Sequence, residues 1–340
     1  MEKYLSEPPK EKVDEFYGRV LKSVSCVKAT YDIDSLLFAF ILSTQGNRQT
    51  AITFGKGENC ELSLVKGKDG GKRVILEGDE LILGRSSFSS LVPVNSGLVL
   101  PILLGMFASS VMERRQLTQL EEARLEEATQ ASRDLTVEDG FKLPNYKHLP
   151  LFSSLTLSID PYFPGISGNR QGAEAVLREL KIDLTANLES LSDAQKNSLG
   201  YRLVLTAQKH NPTFSNSDLF GRRAFLKDLD LLELTFASMY VLDTLGPGYL
   251  FQTVNDPHFA EVLVHIFRDE VGRGFKIDAV TERNNAVVVE TNLKSPLLVR
   301  QILLQAGKLR PDKVVAISVG SEVYTSRYFT NSGKEGLIRI

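Results

Sequence analysis

The chain has 340 residues, of which 42% are apolar and 24% charged, and 40 basic against 42 acidic side chains give a net charge of −2. These values exclude wholesale disorder, a fibrous repeat and a strongly basic nucleic-acid coat. The two cysteines, Cys26 and Cys60, cannot build a disulfide framework or a four-cysteine zinc site. The N-terminus lacks a signal-peptide core, and the apolar stretch Gly97 to Val111 is shorter than the roughly 20 residues of a membrane span. We therefore expect a cytoplasmic protein with two or three domains.

The first third of the chain alternates between helix and strand signals. Apolar residues at i, i+3, i+4 and i+7 predict a helix over Lys10 to Ser23. The strand-like run Cys26 to Thr30 then leads into an apolar helix from Leu36 to Ser43. Further strands are predicted at Thr50 to Phe54, Cys60 to Val65, Arg73 to Glu77 and Glu80 to Leu83. Two more helices follow, an apolar one at Leu98 to Glu113 and a charged, exposed one at Gln116 to Ser132. This order indicates an α/β architecture.

The rest of the chain is mostly helical until a compact final block. Asn169 is a predicted N-cap for a helix from Arg170 to Leu180. Helices are also predicted at Ser192 to His210, Asp218 to Leu245 and His258 to Phe267. The final block reads as strand, helix, strand and strand, at Ala286 to Glu290, Pro296 to Gly307, Lys313 to Val319 and Glu322 to Tyr328. Residues 271–340 carry a net charge of +5 and the other 270 residues carry −7, which indicates either a basic binding surface or a solvated face.

Asp32 and Asp34 follow a predicted strand and precede a predicted helix. In α/β folds ligands usually bind at the carboxyl ends of strands, and two aspartates spaced i, i+2 can share a divalent cation. Asp34 has an alternative role as the N-cap of the helix. Without a metal, the two carboxylates need helix-start amides or a basic neighbour such as Lys28 or Arg85 to relieve their repulsion.

Several motifs resemble those of one family. Ala29 to Ser35 (Ala-Thr-Tyr-Asp-Ile-Asp-Ser) resembles the His-x-Asp-x-Asp-Gly motif of DHH phosphoesterases. Leu157 to Gly168 is similar to the Asp-Pro-Tyr-x-Pro-Gly segment of archaeal RecJ-like nucleases that associate with the GINS complex, relatives of a subunit of the eukaryotic CMG helicase. Leu226-Lys227-Asp228 and the final block also resemble this family. The resemblance implies an α/β fold with a degenerate DHH-like parallel-sheet domain at 1–165, a helical connecting region at 166–268 and an abbreviated C-terminal α/β domain of DHHA1 type at 269–340.

The departures from the family motifs bear on catalysis. The chain has Thr30 where the family has histidine, Ser35 where it has glycine, and Arg85 to Leu91 (Arg-Ser-Ser-Phe-Ser-Ser-Leu) where Asp-His-His is expected. A binuclear manganese site needs carboxylates and imidazoles that converge from several loops. We therefore expect no catalytic residues, no cofactor and no bound metal, with Asp32 and Asp34 as a vestigial motif.

The resemblance also implies partners. Basic residues near the end of the chain, with a Ser-x-Arg-like strand motif, are expected to bind nucleic acid: Lys308, Arg310, Lys313, Ser326 and Arg327. The expected function is a non-catalytic subunit of an archaeal helicase assembly of CMG type that binds GINS, MCM and single-stranded DNA near the nucleoid and has no membrane contact. The alternatives are a manganese-dependent single-strand-specific 5′–3′ exonuclease or phosphoesterase, and a free-standing single-strand binder.

Overall fold

The computed structural model describes residues 6–46, 50–55, 59–67, 69–283, 286–331 and 336–340. The chain folds into two compact units. The first unit takes the chain up to Thr136 together with Leu245–Ala260 and Arg327–Gly336. The second unit takes Val137–Thr244, Glu261–Ser326 and Leu337–Ile340. Each unit is therefore assembled from stretches that are far apart in the sequence.

The described residues form helices and strands with the following bounds. The helices are α1 Lys10–Ser23, α2 Ile33–Gln45, α3 Val99–Glu113, α4 Gln119–Ala131, α5 Leu151–Thr156, α6 Arg170–Glu179, α7 Asp193–Gln208, α8 Asn216–Leu219, α9 Leu231–Thr244, α10 Gly248–Asn255, α11 Phe259–Val271 and α12 Pro296–Gln305. The strands are β1 Cys26–Ala29, β2 Ala51–Phe54, β3 Leu62–Lys66, β4 Lys72–Leu76, β5 Asp79–Gly84, β6 Leu135–Phe141, β7 Phe220–Leu226, β8 Leu229–Asp230, β9 Ile277–Arg283, β10 Ala286–Thr291, β11 Val314–Val319, β12 Glu322–Thr325 and β13 Ile338–Arg339. Among these helices, none is long and apolar enough to cross a membrane.

The first unit is built on a sheet of order β2-β1-β3-β4-β5. The central strand β1 is parallel to β2 and β3, whereas β3, β4 and β5 are antiparallel neighbours. This confirms a DHH-like α/β fold with a parallel sheet region, and α2 and α3, apolar on almost every side, are buried against each other. A single disulfide joins Cys26 to Cys60, whose Cα atoms are 4.9 Å apart.

Helix α4 corrects one expectation. Its density of charged residues predicted an exposed helix, but the Glu121 and Arg124 side chains are fully buried. Both side chains are paired with groups of opposite charge, which is the condition under which charged residues are buried. Thr118 and Glu121 also form a capping box that fixes the start of α4.

The second unit contains the C-terminal α/β block and most of the helical middle of the chain. Its larger sheet has the order β13-β12-β11-β10-β9, with β10 and β11 parallel and the other neighbours antiparallel. The predicted strand, helix, strand and strand are β10, α12, β11 and β12, so this part of the prediction is confirmed. The edge strands β9 and β13 were not predicted.

The predicted helix from Asp218 to Leu245 is wrong over its first half. The chain forms the hairpin β7–β8 before α9 begins, and Lys227 takes a left-handed conformation (φ 53°) in the turn. A buried ion pair between Arg223 and Asp230, with Nη2 and Oδ2 2.6 Å apart, joins the two strands. The apolar stripe that predicted the helix is real, but only its part within α9 is helical.

Candidate functional site

The loop between β1 and α2 places the two aspartates at the carboxyl end of a parallel strand. Asp32 has 1% of its surface exposed. Its carboxylate caps α2 by accepting the Ser35 N–H at 3.1 Å, and it also accepts the Ser35 hydroxyl at 2.9 Å and the Thr30 hydroxyl. Thr30 and Ser35, which stand where the resembling motif has histidine and glycine, are therefore hydrogen-bond donors to Asp32.

Asp34 is also buried, but it does not cap α2. Its two carboxylate oxygens accept the N–H groups of Phe88 and Ser89, each at 2.9 Å. The alternative in which Asp34 is the N-cap is wrong, because Asp32 is the N-cap and the Asp34 carboxylate reaches the Arg85–Leu91 segment instead. Asp34 thus fixes the segment in which the family resemblance led us to expect an Asp-His-His motif.

Two lysine ammonium groups lie beside these aspartates. Lys66 ends β3, Lys72 begins β4, and the two residues face each other in the antiparallel register. Lys66 Nζ lies 2.9 Å from Asp32 Oδ1. Lys72 Nζ lies 2.7 Å from Glu113 Oε1 and 3.9 Å from Asp34 Oδ2. Because like charges directly opposite each other destabilise a sheet, this lysine pair depends on the surrounding carboxylates.

Arg115 extends the network. Its guanidinium donates to both carboxylate oxygens of Glu121, at 2.6 and 2.9 Å, and to Glu113 at 3.0 Å. The Ser109 hydroxyl accepts hydrogen bonds from Arg115 and Lys72. The paired bonds to Glu121 have the fork geometry of strong arginine–carboxylate pairs. Acidic and basic groups therefore alternate through this buried region.

The backbone of the Arg85–Leu91 segment is held by charged side chains. The Ser87 N–H donates to Glu121 Oε1 at 2.8 Å, and Arg124 Nε donates to the Ser90 carbonyl at 2.9 Å. Together with the two bonds to Asp34, these contacts satisfy buried polar groups in a segment with little regular structure. The segment therefore connects α2 and α4 of the first unit through hydrogen bonds to its backbone.

The pKa values follow from burial and from these pairs. Burial raises the pKa of Asp32, but the Lys66 ammonium and the hydrogen bonds that Asp32 accepts outweigh it, so the net pKa is below its usual range. For Asp34, burial dominates over the attraction of Lys72 and Lys66, and the pKa lies above its usual range. Burial and the neighbouring Lys66 charge lower the pKa of Lys72. The surroundings therefore favour the charged form of Asp32 and the neutral form of Asp34.

This donor set does not fit a binuclear manganese site. Manganese prefers carboxylate and imidazole ligands, whereas an ammonium group is a hydrogen-bond donor with no lone pair to offer. Lys66 Nζ occupies the position next to Asp32 where a cation would bind, and the Phe88 ring lies 5.9 Å from it and 6.0 Å from Lys72 Nζ. In the part of the chain that the structure describes, no group of three or more His, Cys, Asp and Glu side chains could hold a metal.

A short C-terminal segment, Arg327–Asn331, contacts the same loop. The Tyr31 N–H donates to Asn331 Oδ1 at 2.7 Å. Burial lowers the pKa of Lys66, but the nearby Asp32 and Glu113, and after them Tyr328, outweigh it and hold that pKa above its usual range. The segment begins with a 3-10 turn over Arg327–Phe329 and belongs to the first unit. Arg327, one of the predicted nucleic-acid-binding residues, is therefore part of the first unit.

The other predicted nucleic-acid-binding residues lie in the second unit. Lys308 and Arg310 are exposed on the connection between α12 and β11. Lys313 is 11% exposed and donates to Glu282 at 2.7 Å. Ser326 is fully buried, and its hydroxyl lies beside the Asp243 carboxylate. Binding of nucleic acid by this set stays a prediction, with Ser326 the member least accessible to a ligand.

The Asp-Pro-Tyr segment is a packed turn of the second unit. The Ser167 hydroxyl accepts the Phe163 N–H at 2.9 Å, and Phe163 is fully buried. Gly168 has a positive φ of 69°, and an added Cβ would lie 2.6 Å from the Phe275 carbonyl oxygen. The segment therefore fixes the chain that leads from α11 into β9.

Reasoning from the sequence found the two aspartates but missed their partners, Lys66 and Lys72. Strand alternation was the available signal. Lys66 shares a strand face with the buried residues Leu62 and Leu64, and Lys72 shares one with the buried Val74. Lysines on the inward face of two adjacent strands require buried acids nearby.

Comparisons with known proteins agree with this architecture. A family model described as Archaeal Cdc45 matches residues 1–340. The crystal structure of CDC45 from Entamoeba histolytica is similar with a TM-score of 0.56 and 9% sequence identity, over 95% of this chain and 89% of that chain. We find no match among curated protein sequences. The fold is thus shared with that CDC45, and by its match over the full length the chain belongs to the archaeal Cdc45 family.

Proposed function

We propose that this chain is a non-catalytic RecJ-like subunit of an archaeal replicative helicase assembly of CMG type. In this role it binds GINS and MCM, contacts single-stranded DNA and works at the nucleoid through its surfaces. Membership of the archaeal Cdc45 family supports a role in replication. The observation that carries the non-catalytic part is the ion pair between Lys66 and Asp32, in the loop where the related phosphoesterases bind metal.

The physical argument rests on charge. Hydrolysis of a phosphodiester with two metals needs cations with open coordination positions and an activated water. Lys66, Lys72 and Arg115 balance the charges of Asp32, Asp34 and Glu113 with groups that do not activate water as a metal does. The acids therefore keep a structural role after catalysis is lost.

A nuclease assay tests the absence of catalysis. Purified protein is incubated with end-labelled single-stranded DNA and manganese, and an Asp32→Ala variant is treated in parallel. We expect no nucleotide release from either protein and no increase in the melting temperature on addition of manganese. Release by the wild-type chain that disappears in Asp32→Ala would establish the exonuclease alternative.

Co-purification tests the assembly role. The tagged chain is isolated from a native extract, and GINS and MCM subunits are identified by mass spectrometry. We expect both to be recovered with the chain at moderate salt. If single-stranded DNA binds to the purified chain but neither complex is recovered, the free-standing single-strand binder is the better description.

A further inference from the structure

A cleft in the second unit has the size and lining of a binding site. Its volume is roughly 350 Å³, at the small end of the range of about 300–1,000 Å³ that is common for ligand pockets. Helix α5 and the end of α11 form its walls. Leu149 and Phe152, both half-buried, provide an apolar surface, and Arg170, Arg268 and Arg273 line the cleft.

The arginines differ in how they are held. Arg268 donates through Nε and Nη2 to the two oxygens of the buried Glu233, each at 2.6 Å, which orients the guanidinium. Among the described residues, Nη1 has no hydrogen-bond acceptor. The Arg170 guanidinium carbon lies 5.2 Å from the centre of the Phe152 ring. Within the described chain Arg170 makes no ion pair, and Arg273 contacts Glu270 at 3.2 Å. Arg170 and Arg268 therefore offer donors to an anionic ligand.

The balance of charge indicates which anion fits. Asp269 also lines the cleft and is 57% exposed, and Glu233 and Glu270 neutralise part of the arginine charge. Affinity for nucleic acid comes from neutralising several phosphates. Three arginines against these three acids leave the cleft without net positive charge, which does not favour nucleic acid and leaves Arg170 as its one cation without an ion pair among the described residues. Arginine forks bind carboxylates in a bidentate manner, and the apolar surface suits an adjacent aliphatic side chain.

We propose that this cleft binds an acidic peptide segment of a partner protein, with a carboxylate at Arg170 and Arg268 and an apolar side chain against Phe152 and Leu149. This inference rests on the proposed function, since the segment would belong to another member of the assembly. Arg268 is preorganised by Glu233, which reduces the conformational entropy lost on binding.

Fluorescence anisotropy with synthetic peptides tests the proposal. The probe is a short labelled peptide of repeated Ser-Glu-Leu-Glu units, and the control peptide has glutamine at each glutamate. We expect the acidic peptide alone to bind the full chain. Arg170→Glu removes one of the two proposed carboxylate contacts, and Arg273→Glu reverses a further charge that lines the cleft. Together they should weaken binding by about ten- to a hundredfold, as for lost hydrogen bonds to a charged group. Both positions are exposed, and an acidic residue in the first turn of α6 is favourable for the helix.

The control is Arg178→Glu, which makes the charge change of one of the two substitutions at a 70% exposed position of α6 outside the cleft and should leave peptide binding unchanged. Equal binding of both peptides, or equal loss in the control variant, would overturn the proposal. A third outcome is that the chain does not bind the peptide but binds labelled oligo-dT, and that the double variant loses this binding. It would overturn the proposal in favour of nucleic acid as the ligand of the cleft. Because the assay contains neither helicase subunits nor a nuclease substrate with manganese, its outcome is separate from that of the proposed function.

Discussion

Gly105 on α3 sets how closely the Arg85–Leu91 segment approaches that helix. A Cβ at this position would lie 1.9 Å from the Ser89 hydroxyl oxygen and 2.7 Å from Ser89 Cβ. It would also lie 3.4 Å from Asp34 Oδ1, which holds the Ser89 N–H. The absence of a side chain at Gly105 therefore allows the contact between Asp34 and the segment.

We expect Gly105→Ala to destabilise the protein. Overpacking costs about 1–3 kcal/mol, which outweighs the gain of up to about 1 kcal/mol from the higher helix propensity of alanine. The matched control is Gly18→Ala in α1, where, apart from the adjoining backbone of the helix, no described atom lies within 4 Å of the added Cβ and a small stabilisation is expected. Urea unfolding of the two variants and the wild type measures both effects. Stabilisation by both substitutions would show that Ser89 moves away without cost.

The buried carboxyl group of Asp243 is expected to make the stability of the protein depend on pH. Its carboxylate accepts the Ser295 hydroxyl at 2.6 Å and the Leu297 N–H at 2.9 Å, at the start of α12. Burial raises the pKa of Asp243 to about 6, and these hydrogen bonds only partly oppose the rise. Because the native state takes up this proton at higher pH than the unfolded state, the contribution of Asp243 to stability increases as the pH falls from 7 to 5.

Replacement of Asp243 by asparagine should remove this dependence. Asparagine keeps an oxygen acceptor for Leu297 and Ser295 but has no charge to bury. Between pH 7 and pH 5, proton uptake by Asp243 should raise the free energy of unfolding of the wild type by about 1 kcal/mol. This increase comes on top of any pH effect that Asp243→Asn also shows. Chemical denaturation of both proteins at the two pH values measures the difference. A wild type and variant that respond equally to pH would place the pKa of Asp243 near its ordinary value.

At the scale of secondary-structure elements, the C-terminal segment Arg327–Asn331 contacts the β1–α2 loop through the Asn331 side chain. Asn331 has a left-handed backbone (φ 49°), and its side-chain oxygen accepts the Tyr31 N–H. Glycine tolerates this conformation but lacks the acceptor, whereas aspartate keeps the acceptor. These two substitutions separate the hydrogen bond from the backbone preference.

We expect Asn331→Gly to speed hydrogen exchange at the Tyr31 amide, and Asn331→Asp to leave its protection close to that of the wild type. The protection that the Tyr31 amide loses in Asn331→Gly should correspond to about 1 kcal/mol, the typical net value of one hydrogen bond. Exchange is followed by mass spectrometry on peptides that contain the loop. Equal protection in all three proteins would mean that other contacts hold the segment.

The elements that sequence patterns predicted best are those with a single regular apolar face. The helix Lys10–Ser23 has the predicted bounds, and Asn169 is the predicted cap of α6. The hairpin β7–β8 was missed because Leu229 continues the helical spacing of α9. The strand pairing and the Arg223–Asp230 ion pair that accompanies it are contacts between side chains and strands that periodicity does not reveal. Burial of Glu121 was missed because its partner Arg115 is identified by contact and not by periodicity.

At the scale of the whole molecule, the basic excess of the last part of the chain is divided among several environments. Arg339 pairs with Glu322 at 2.5 Å, Lys294 with Glu270 at 3.7 Å and Lys313 with Glu282 at 2.7 Å. Arg300 is buried, and Arg327 belongs to the first unit. Net charge computed from sequence therefore overestimates the basic surface, because it cannot show which cations already have carboxylate partners.

The exposed pair Lys308 and Arg310 is where weak binding of single-stranded DNA is expected. Each phosphate neutralised on a single strand contributes about −0.7 to the slope of log K against log salt, so Lys308→Ala with Arg310→Ala should flatten the slope by about one to two units. Lys313→Ala is the matched control, because Glu282 already binds this lysine and its removal should leave the slope unchanged. Anisotropy of labelled oligo-dT over a range of salt concentrations measures all three proteins. If the slope changes in Lys313→Ala but not in the double variant, the phosphate is bound at Lys313, beside Glu282, and not at Lys308 and Arg310.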